Sequence, residues 1–184
     1  MRILTMVCIT ILFLGMLDLS VIKGQEISYS RSTIEPVPDN IIHVSTLVVL
    51  PPAEAFEYFT SDSLLQSWLT AVAEVEPWVG GKYELFWQPE DRENNSTIGC
   101  RVTAFTPGQL IAFQWRSPKQ FKSFANSADP LTHVVVTFVP EDSGTRIHLI
   151  HSGWRSSPEW EEAREWQEKA WVGAFDRFEK VAND

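Results

Sequence analysis

The hydrophobic pattern of the chain predicts a first β-strand over residues 41–50. Ile42, Val44, Val48 and Leu50 recur at even spacing and therefore share one face of this strand. A strand with a single apolar face covers one side of a core. We therefore expect this segment to lie against the interior of a folded domain.

Two short helices are predicted directly after this strand. Pro51-Pro52 ends the strand, because proline cannot donate to a β-ladder, and Pro52 also suits a first helical turn. The first helix is predicted over residues 53–59. The second is predicted from Ser61-Asp62, either of which can cap it, to about Trp68.

Further alternating runs, separated by turn residues, predict the rest of a sheet. They span residues 82–88, 97–105, 110–115, 134–139 and 145–151, and the pattern also allows a short strand near residues 71–75. A turn is predicted at residues 141–144, and residues 116–130 are predicted to form a longer loop that contains Phe121 and Phe124.

A long amphipathic helix is predicted from Ser157 to about Val181. Ser157 is placed to cap it, Pro158 suits its first position, and acidic residues occupy its first turn. Large apolar residues recur at three- and four-residue spacing, and charged residues occupy the opposite side. One face of this helix is therefore expected to be buried.

The order of these elements predicts an α+β fold. Consecutive strands joined by short turns favour an antiparallel sheet of about six or seven strands. Because strands and helices are segregated along the chain, the two short helices after the first strand and the long C-terminal helix must pack on this sheet. We expect the apolar face of the long helix to lie on the concave side of a curved sheet.

The first 24 residues are typical of a secretory signal peptide. Arg2 supplies a positive start, and Ile3 to Leu17 is almost entirely apolar but short for a membrane span. Cleavage after Gly24 is predicted, with an uncleaved N-terminal anchor as the alternative. Residues 25–40 are then a linker, and residues 41–184 form the domain. The sequence thus predicts an exported protein, periplasmic or extracellular, with no stable membrane span after cleavage.

The charge of the chain excludes some partners. The 184 residues are 44% hydrophobic, which suits one globular domain, and the net charge is −9. Removal of the signal peptide takes away two of 15 basic residues and one of 24 acidic ones, so the mature charge is −10. A domain this acidic repels phosphates, so we expect neither nucleic acid nor an anionic membrane as partner.

Cysteine and histidine give little support for a reactive centre. Cys100 is the only cysteine of the predicted mature chain, so it forms no internal disulfide, and it lies in a strand-like run that favours burial. His148 and His151 are three residues apart and therefore face opposite sides of a strand. No metal-ligand spacing and no cofactor motif occurs, so neither a metal nor a cofactor is predicted.

Four segments resemble one family of helix-grip proteins, the superfamily of START-related, Bet v 1-like and polyketide-cyclase-like (SRPBCC) domains. The chain looks like the activator of heat-shock-protein-90 ATPase homologue family. The matching segments are residues 50–60, residues 64–69, the paired glycines of residues 79–83, and residues 144–154. The resemblance implies the helix-grip fold over about residues 41–182. The family takes its name from a cytosolic co-chaperone activity, and an exported chain would not meet that chaperone.

A helix-grip fold implies a pocket between the sheet and the long helix, and the chain has eight tryptophans to line it. Core packing is the competing explanation for these large side chains. Arg101 or Glu84 is a candidate charged anchor, although a solvated strand face also accounts for either residue. The candidate ligand-binding residues are Trp68, Phe86, Trp115, His151, Trp171 and Phe175.

Three functions are compatible with these features. The favoured one is binding of a small hydrophobic or amphipathic ligand without catalysis. The second is an enzyme of the cyclase, dehydratase or hydrolase type in which His151 is the catalytic acid or base. A hydrogen-bonded histidine at the inner edge of the sheet is the competing explanation for His151. The third is a protein-interaction module with an exposed apolar patch around Phe121 and Phe124.

Overall fold

The computed structural model describes residues 40–183, which contain seven strands and four α-helices. A 3-10 turn at Lys119–Phe121 precedes the third helix. The strands are β1 (Ile42–Val48), β2 (Val72–Val75), β3 (Tyr83–Phe86), β4 (Val102–Thr106), β5 (Leu110–Trp115), β6 (Thr132–Glu141) and β7 (Gly144–Ser152). The helices are α1 (Pro52–Glu57), α2 (Asp62–Trp68), α3 (Lys122–Ala125) and α4 (Pro158–Asn183).

The strands are antiparallel and form two sheets. Five of them pair in the order β1-β7-β6-β5-β4, and β2 pairs with β3 alone. Single bridges link β3 and the residue before it to the loop that precedes β4; they join Phe86 to Ser96 and Lys82 to Arg101. The predicted α+β fold and the number of strands are therefore confirmed, and the structure divides the strands five and two.

The fourth strand is shorter than its sequence predicts because a side chain replaces part of the ladder. The hydroxyl of Thr97 accepts a hydrogen bond from the Leu85 amide at 2.8 Å and donates one to the Tyr83 carbonyl at 2.9 Å. Gly99 then adopts a φ of +80°, which interrupts extended backbone. Regular pairing with β5 begins only at Val102.

The sixth strand is longer than predicted, since it continues through Pro140 to Glu141. Proline lacks the N–H that a central strand must donate. Strand β5 pairs with β6 only as far as Thr137, whereas pairing with β7 continues to the turn at Glu141 and Gly144. At Pro140, β6 therefore has no partner strand on its β5 side that would accept a hydrogen bond from a backbone N–H.

The core lies between the five-stranded sheet and the apolar face of α4. Ser157 caps this helix as predicted, since its hydroxyl accepts a hydrogen bond from the Trp160 amide at 3.5 Å. Phe59, which follows α1, is the centre of an aromatic cluster. Its ring lies 5.1 Å from Trp68 and 5.3 Å from Phe178, measured between centroids. Aromatic pairs at these distances stabilise a core beyond the area they bury.

Two glycines of the family-like segments stand where no side chain fits. A Cβ atom at Gly81 would lie 2.2 Å from the carbonyl oxygen of Glu76. A Cβ atom at Gly144 would lie 2.0 Å from the carbonyl oxygen of Val48, and Gly144 also has a φ of +145°. Both turns therefore depend on close approach of two backbone segments, which only glycine permits.

In the part of the chain that the structure describes, no helix is both long enough and apolar enough to cross a membrane. The predicted signal peptide and residues 25–39 of the predicted linker lie outside the described residues.

Candidate functional site

A cavity of about 400 Å³ lies between helix α4 and the segments that follow β3 and β5. This volume is within the range of small-molecule sites, roughly 300–1,000 Å³. One wall is a strip of α4, and the other walls come from four separate segments of the chain. The lining residues are Leu69, Trp87, Gln88, Asn95, Ser96, Trp115, Arg116, Pro118, Gln120, Trp166, Gln167, Ala170, Trp171, Ala174 and Arg177.

Four tryptophans form the apolar walls of this cavity. The ring centroids of Trp115 and Trp171 are 4.7 Å apart, and those of Trp87 and Trp115 are 5.7 Å apart. The indole N–H of Trp87 donates to the Leu69 carbonyl at 2.7 Å, and that of Trp115 donates to Gln167 Oε1 at 3.2 Å. These hydrogen bonds fix the orientation of the Trp87 and Trp115 rings.

The charged groups of the cavity are of one sign. Arg116 and Arg177 line it, whereas no aspartate or glutamate is found among its described lining residues. The Nε–H of Arg177 donates to the Trp68 carbonyl at 3.1 Å, so its guanidinium is anchored at the exposed rim. Arg116 is less exposed and lies beside the Cys100 thiol; burial raises the pKa of that thiol, and the positive charge of Arg116 opposes the rise.

His151 lies behind the tryptophan wall and does not line the cavity. Its side chain is completely buried, and its Nδ1 accepts a hydrogen bond from the indole N–H of Trp171 at 3.1 Å. The acceptor role of Nδ1 places the proton of the neutral ring on Nε2, which has no hydrogen-bond partner. Burial, and then the charge of His133, lower the pKa of His151 to about 3.

These contacts direct His151 toward Trp171 and away from the cavity. A group with so low a pKa is neutral at physiological pH, and its protonated form is absent there. Its remaining polar atom is enclosed by protein, beside the Trp154 ring at 4.6 Å between centroids. What His151 does in this structure is fix the orientation of Trp171.

The structure divides the other predicted site residues between wall and core. Trp115 and Trp171 line the cavity, but Trp68, Phe86 and Phe175 do not. Trp68 and Phe175 pack in the aromatic core, 6.4 Å apart between ring centroids. The ring of Phe86 lies under the guanidinium of Arg92 at 4.2 Å. That Trp115 and Trp171 contact a ligand stays a prediction.

The other candidate residues lie away from the cavity. Phe121 and Phe124 do not form the exposed patch that their loop suggests, because Phe121 packs on Trp166 and Phe124 on Trp160. Arg101 is exposed outside the cavity lining. Glu84 is buried, with its Oε1 accepting a hydrogen bond from the Gly99 amide at 2.9 Å.

Cysteine and histidine provide no reactive centre in the described chain. Cys100 is buried, as its sequence context predicts, and burial raises its pKa to about 12, so it remains a neutral thiol. His148 points to the outer face of the sheet, where its Nδ1 lies 3.1 Å from Nε2 of His43. Within residues 40–183, no cluster of three or more histidine, cysteine or acidic side chains could hold a metal ion.

Sequence reasoning missed several lining residues, notably Trp87, Trp166, Arg116 and Arg177. For three lining positions of α4, the spacing in the sequence could have predicted a shared face. Trp166, Ala170 and Ala174 recur every four residues and define a second stripe beside the core stripe. Arg116 carries no comparable signal, because it comes directly after a strand and lies in a loop whose path the sequence does not reveal.

Comparison with known proteins identifies the fold. A protein from Mesorhizobium loti is 22% identical, covers 77% of this chain and 95% of its own, and superposes with a TM-score of 0.63. An AHSA1-like protein from Rhizobium etli is 21% identical over 77% of this chain and 81% of its own, with a TM-score of 0.57. The Aha1 dimer from Colwellia psychrerythraea is 14% identical over 78% and 96%, with a TM-score of 0.59.

Among proteins of curated function, no match to the chain is found. At the identities given above, the solved structures show the fold alone. The profile of one family, described as Activator of Hsp90 ATPase homolog 1-like protein, matches residues 49–183, which contain both glycine turns and the whole of α4. The chain therefore belongs to the Activator of Hsp90 ATPase homolog 1-like family.

Proposed function

We propose that this domain binds a small apolar or amphipathic molecule in the cavity between α4 and the sheets. The observation that carries the proposal is the wall of four tryptophans around about 400 Å³ of space. A domain that used these rings only for packing would close over them. Here their N–H groups are satisfied by protein acceptors in three cases, and the rings of Trp87 and Trp166 keep accessible surface at the cavity.

The lining of the cavity favours binding over catalysis. It contains no histidine, cysteine, lysine, tyrosine or carboxylate among the described residues, so no side chain there exchanges a proton near neutral pH. Ser96 supplies a hydroxyl, but this hydroxyl donates to the Arg92 carbonyl at 2.6 Å and has no base beside it. The enzyme hypothesis therefore lacks its acid and base at this site.

A protein-interaction role has less support than ligand binding. One structural neighbour is described as an Aha1 dimer, but that assembly is a property of the neighbour and does not indicate how this chain assembles. In this chain the aromatic side chains considered for a docking patch pack against α4.

Binding of the neutral fluorescent dye N-phenylnaphthylamine tests the proposed function. We expect its emission to rise on addition of the protein, because the dye leaves water for an aromatic cavity. Ala170→Trp adds an indole to the cavity wall and is expected to weaken dye binding by about tenfold or more, since it fills part of the volume. Fluorescence titration gives both affinities.

The matched control places the same side chain outside the cavity. Val172 lies on α4, is 47% exposed and does not line the cavity. Val172→Trp is therefore expected to leave dye binding close to that of the wild type. Equal loss in both variants, or no dye binding by the wild type, would count against the proposed function.

We further propose that the domain acts outside the cytosol. The support is the apolar run of residues 3–17 with its positive start, which is typical of an export signal. Expression of the full chain with its own N-terminus is expected to yield a product shortened by 24 residues in the exported fraction. Intact-mass measurement checks this, and a full-length product found only in the cytosol would contradict it.

A further inference from the structure

We infer that the ligand carries a single anionic group, of which a carboxylate is the simplest case, and that Arg116 binds this group. The inference rests on the proposed function and deepens it, because it names the chemistry of the molecule that the cavity accepts. The ligand is therefore an apolar acid that contains a ring, and this ring packs on the tryptophans.

The hydrogen bonding of Arg116 within the protein is incomplete. Its Nε is buried and has no hydrogen-bond partner, although Arg116 lines the cavity. Buried donors in folded proteins are almost always paired, so this unpaired Nε–H shows that the protein leaves the guanidinium of Arg116 incompletely hydrogen-bonded. A carboxylate oxygen is the acceptor that best fits, because the planar guanidinium presents its donors as a fork.

The charge of Arg116 is not compensated by a carboxylate in the cavity lining. None of the ion pairs among residues 40–183 includes Arg116 or Arg177. Glu84 is near enough to Cys100 to act on the same thiol as Arg116, but it does not line the cavity. Its Oε1 is already used by the Gly99 amide. The positive charge that faces the cavity is therefore not neutralised by a carboxylate of the lining.

The charges of the cavity lining favour an anion over a cation. A wall of tryptophans also attracts cations through the faces of its rings. Two guanidinium groups without an opposing carboxylate in the lining repel a cation, so the aromatic wall here suits an uncharged ring. Since the whole chain carries a net charge of −9, a highly charged anion is repelled as well. A monoanion with an apolar body satisfies both conditions.

A matched pair of ligands tests the inference. Naphthoate and naphthylmethanol share one aromatic body, and only the first carries a charge at neutral pH. Isothermal titration calorimetry is expected to show that the wild type binds the acid about tenfold or more tightly than the alcohol, as a charge-assisted contact to arginine implies. The acid should also displace N-phenylnaphthylamine, which places it in the cavity.

Substitution of Arg116 locates the contact. Arg116→Gln is expected to reduce the ratio of acid affinity to alcohol affinity to about one, whereas Arg116→Lys retains part of the ratio because it keeps the charge and loses the fork. Lys169→Gln removes a cation from an exposed position of α4 that does not line the cavity. This control is expected to keep the wild-type ratio, and circular dichroism verifies that each variant is folded.

The possible failures are distinguishable. If the dye binds and the wild type takes acid and alcohol equally, the inference is overturned and the proposed function stands. If the preference for the acid survives Arg116→Gln, the anion is bound elsewhere and the assignment to Arg116 is wrong. If neither the dye nor either naphthyl compound binds, the proposed function itself fails.

Discussion

Replacing Trp171 with alanine is expected to lower the free energy of unfolding by about 3–5 kcal/mol, the range for removing a large aromatic residue from a core. The indole is 2% exposed and lies 4.7 Å from the Trp115 ring, measured between centroids. Its loss enlarges the cavity and also removes the donor to His151 Nδ1. Urea unfolding followed by far-UV circular dichroism measures the change without relying on tryptophan emission.

A second variant separates packing from hydrogen bonding at this position. Trp171→Phe keeps an aromatic ring against Trp115 but leaves the buried Nδ1 of His151 without its donor. We expect this variant to lose about 1–2 kcal/mol, which is the usual penalty for a buried polar atom left unpaired. An alanine variant that lost less than the phenylalanine variant would show that Trp171 is not part of the core.

Acidification is expected to destabilise the fold through His151. In the unfolded chain, His151 has the ordinary histidine pKa of 6.5 and binds a proton as the pH falls below that value. In the folded protein its pKa is about 3. The unfolded state therefore holds more protons throughout this window, so the stability is present above pH 6.5 and is lost progressively toward pH 3. The full loss is about 4–5 kcal/mol, of which about 2 kcal/mol is lost by about pH 5.

The control for this prediction is a variant that does not titrate. Asparagine at position 151 keeps an acceptor close to the Nδ1 position of histidine and has no pKa in this range. His151→Asn is therefore expected to show a flatter dependence of unfolding free energy on pH between about 6.5 and 4. His133 and His148, whose pKa values are lowered by burial, remain in both proteins. Parallel curves for the two proteins would assign the acid sensitivity to other groups.

The fold was largely predictable because its elements depend on local periodicity. The apolar stripe of α4, its Ser157 cap and the alternation of β1 and β7 each follow from residues that are close in sequence. The point at which β4 begins was not predictable, because the hydroxyl of Thr97 occupies ladder positions on β3, 12 and 14 residues away. A side chain that replaces backbone hydrogen bonds in this way does not change the hydrophobic periodicity of the sequence.

The site was less predictable, because it depends on which large side chains meet across the fold. Trp68 and Trp171 look alike in the sequence and both belong to the core cluster, yet only Trp171 also lines the cavity. The difference arises from the distance between α4 and the segments opposite it, which no single residue sets. His151 was correctly placed on the inner face, but its use as an acceptor for Trp171 needs the helix position as well.

The strip of α4 that lines the cavity contains some positions that the core constrains and others that it does not. Three of its six lining positions, Gln167, Trp171 and Ala174, are nearly inaccessible and are constrained by the core. The other three, Trp166, Ala170 and Arg177, are partly or well exposed. Substitutions at these three more exposed positions can change the shape and charge of the cavity, while the contacts between the helix and the sheet are retained. Under the proposed function, such a domain can thus change its ligand through substitutions on one helix, while the residues of its interior stay the same.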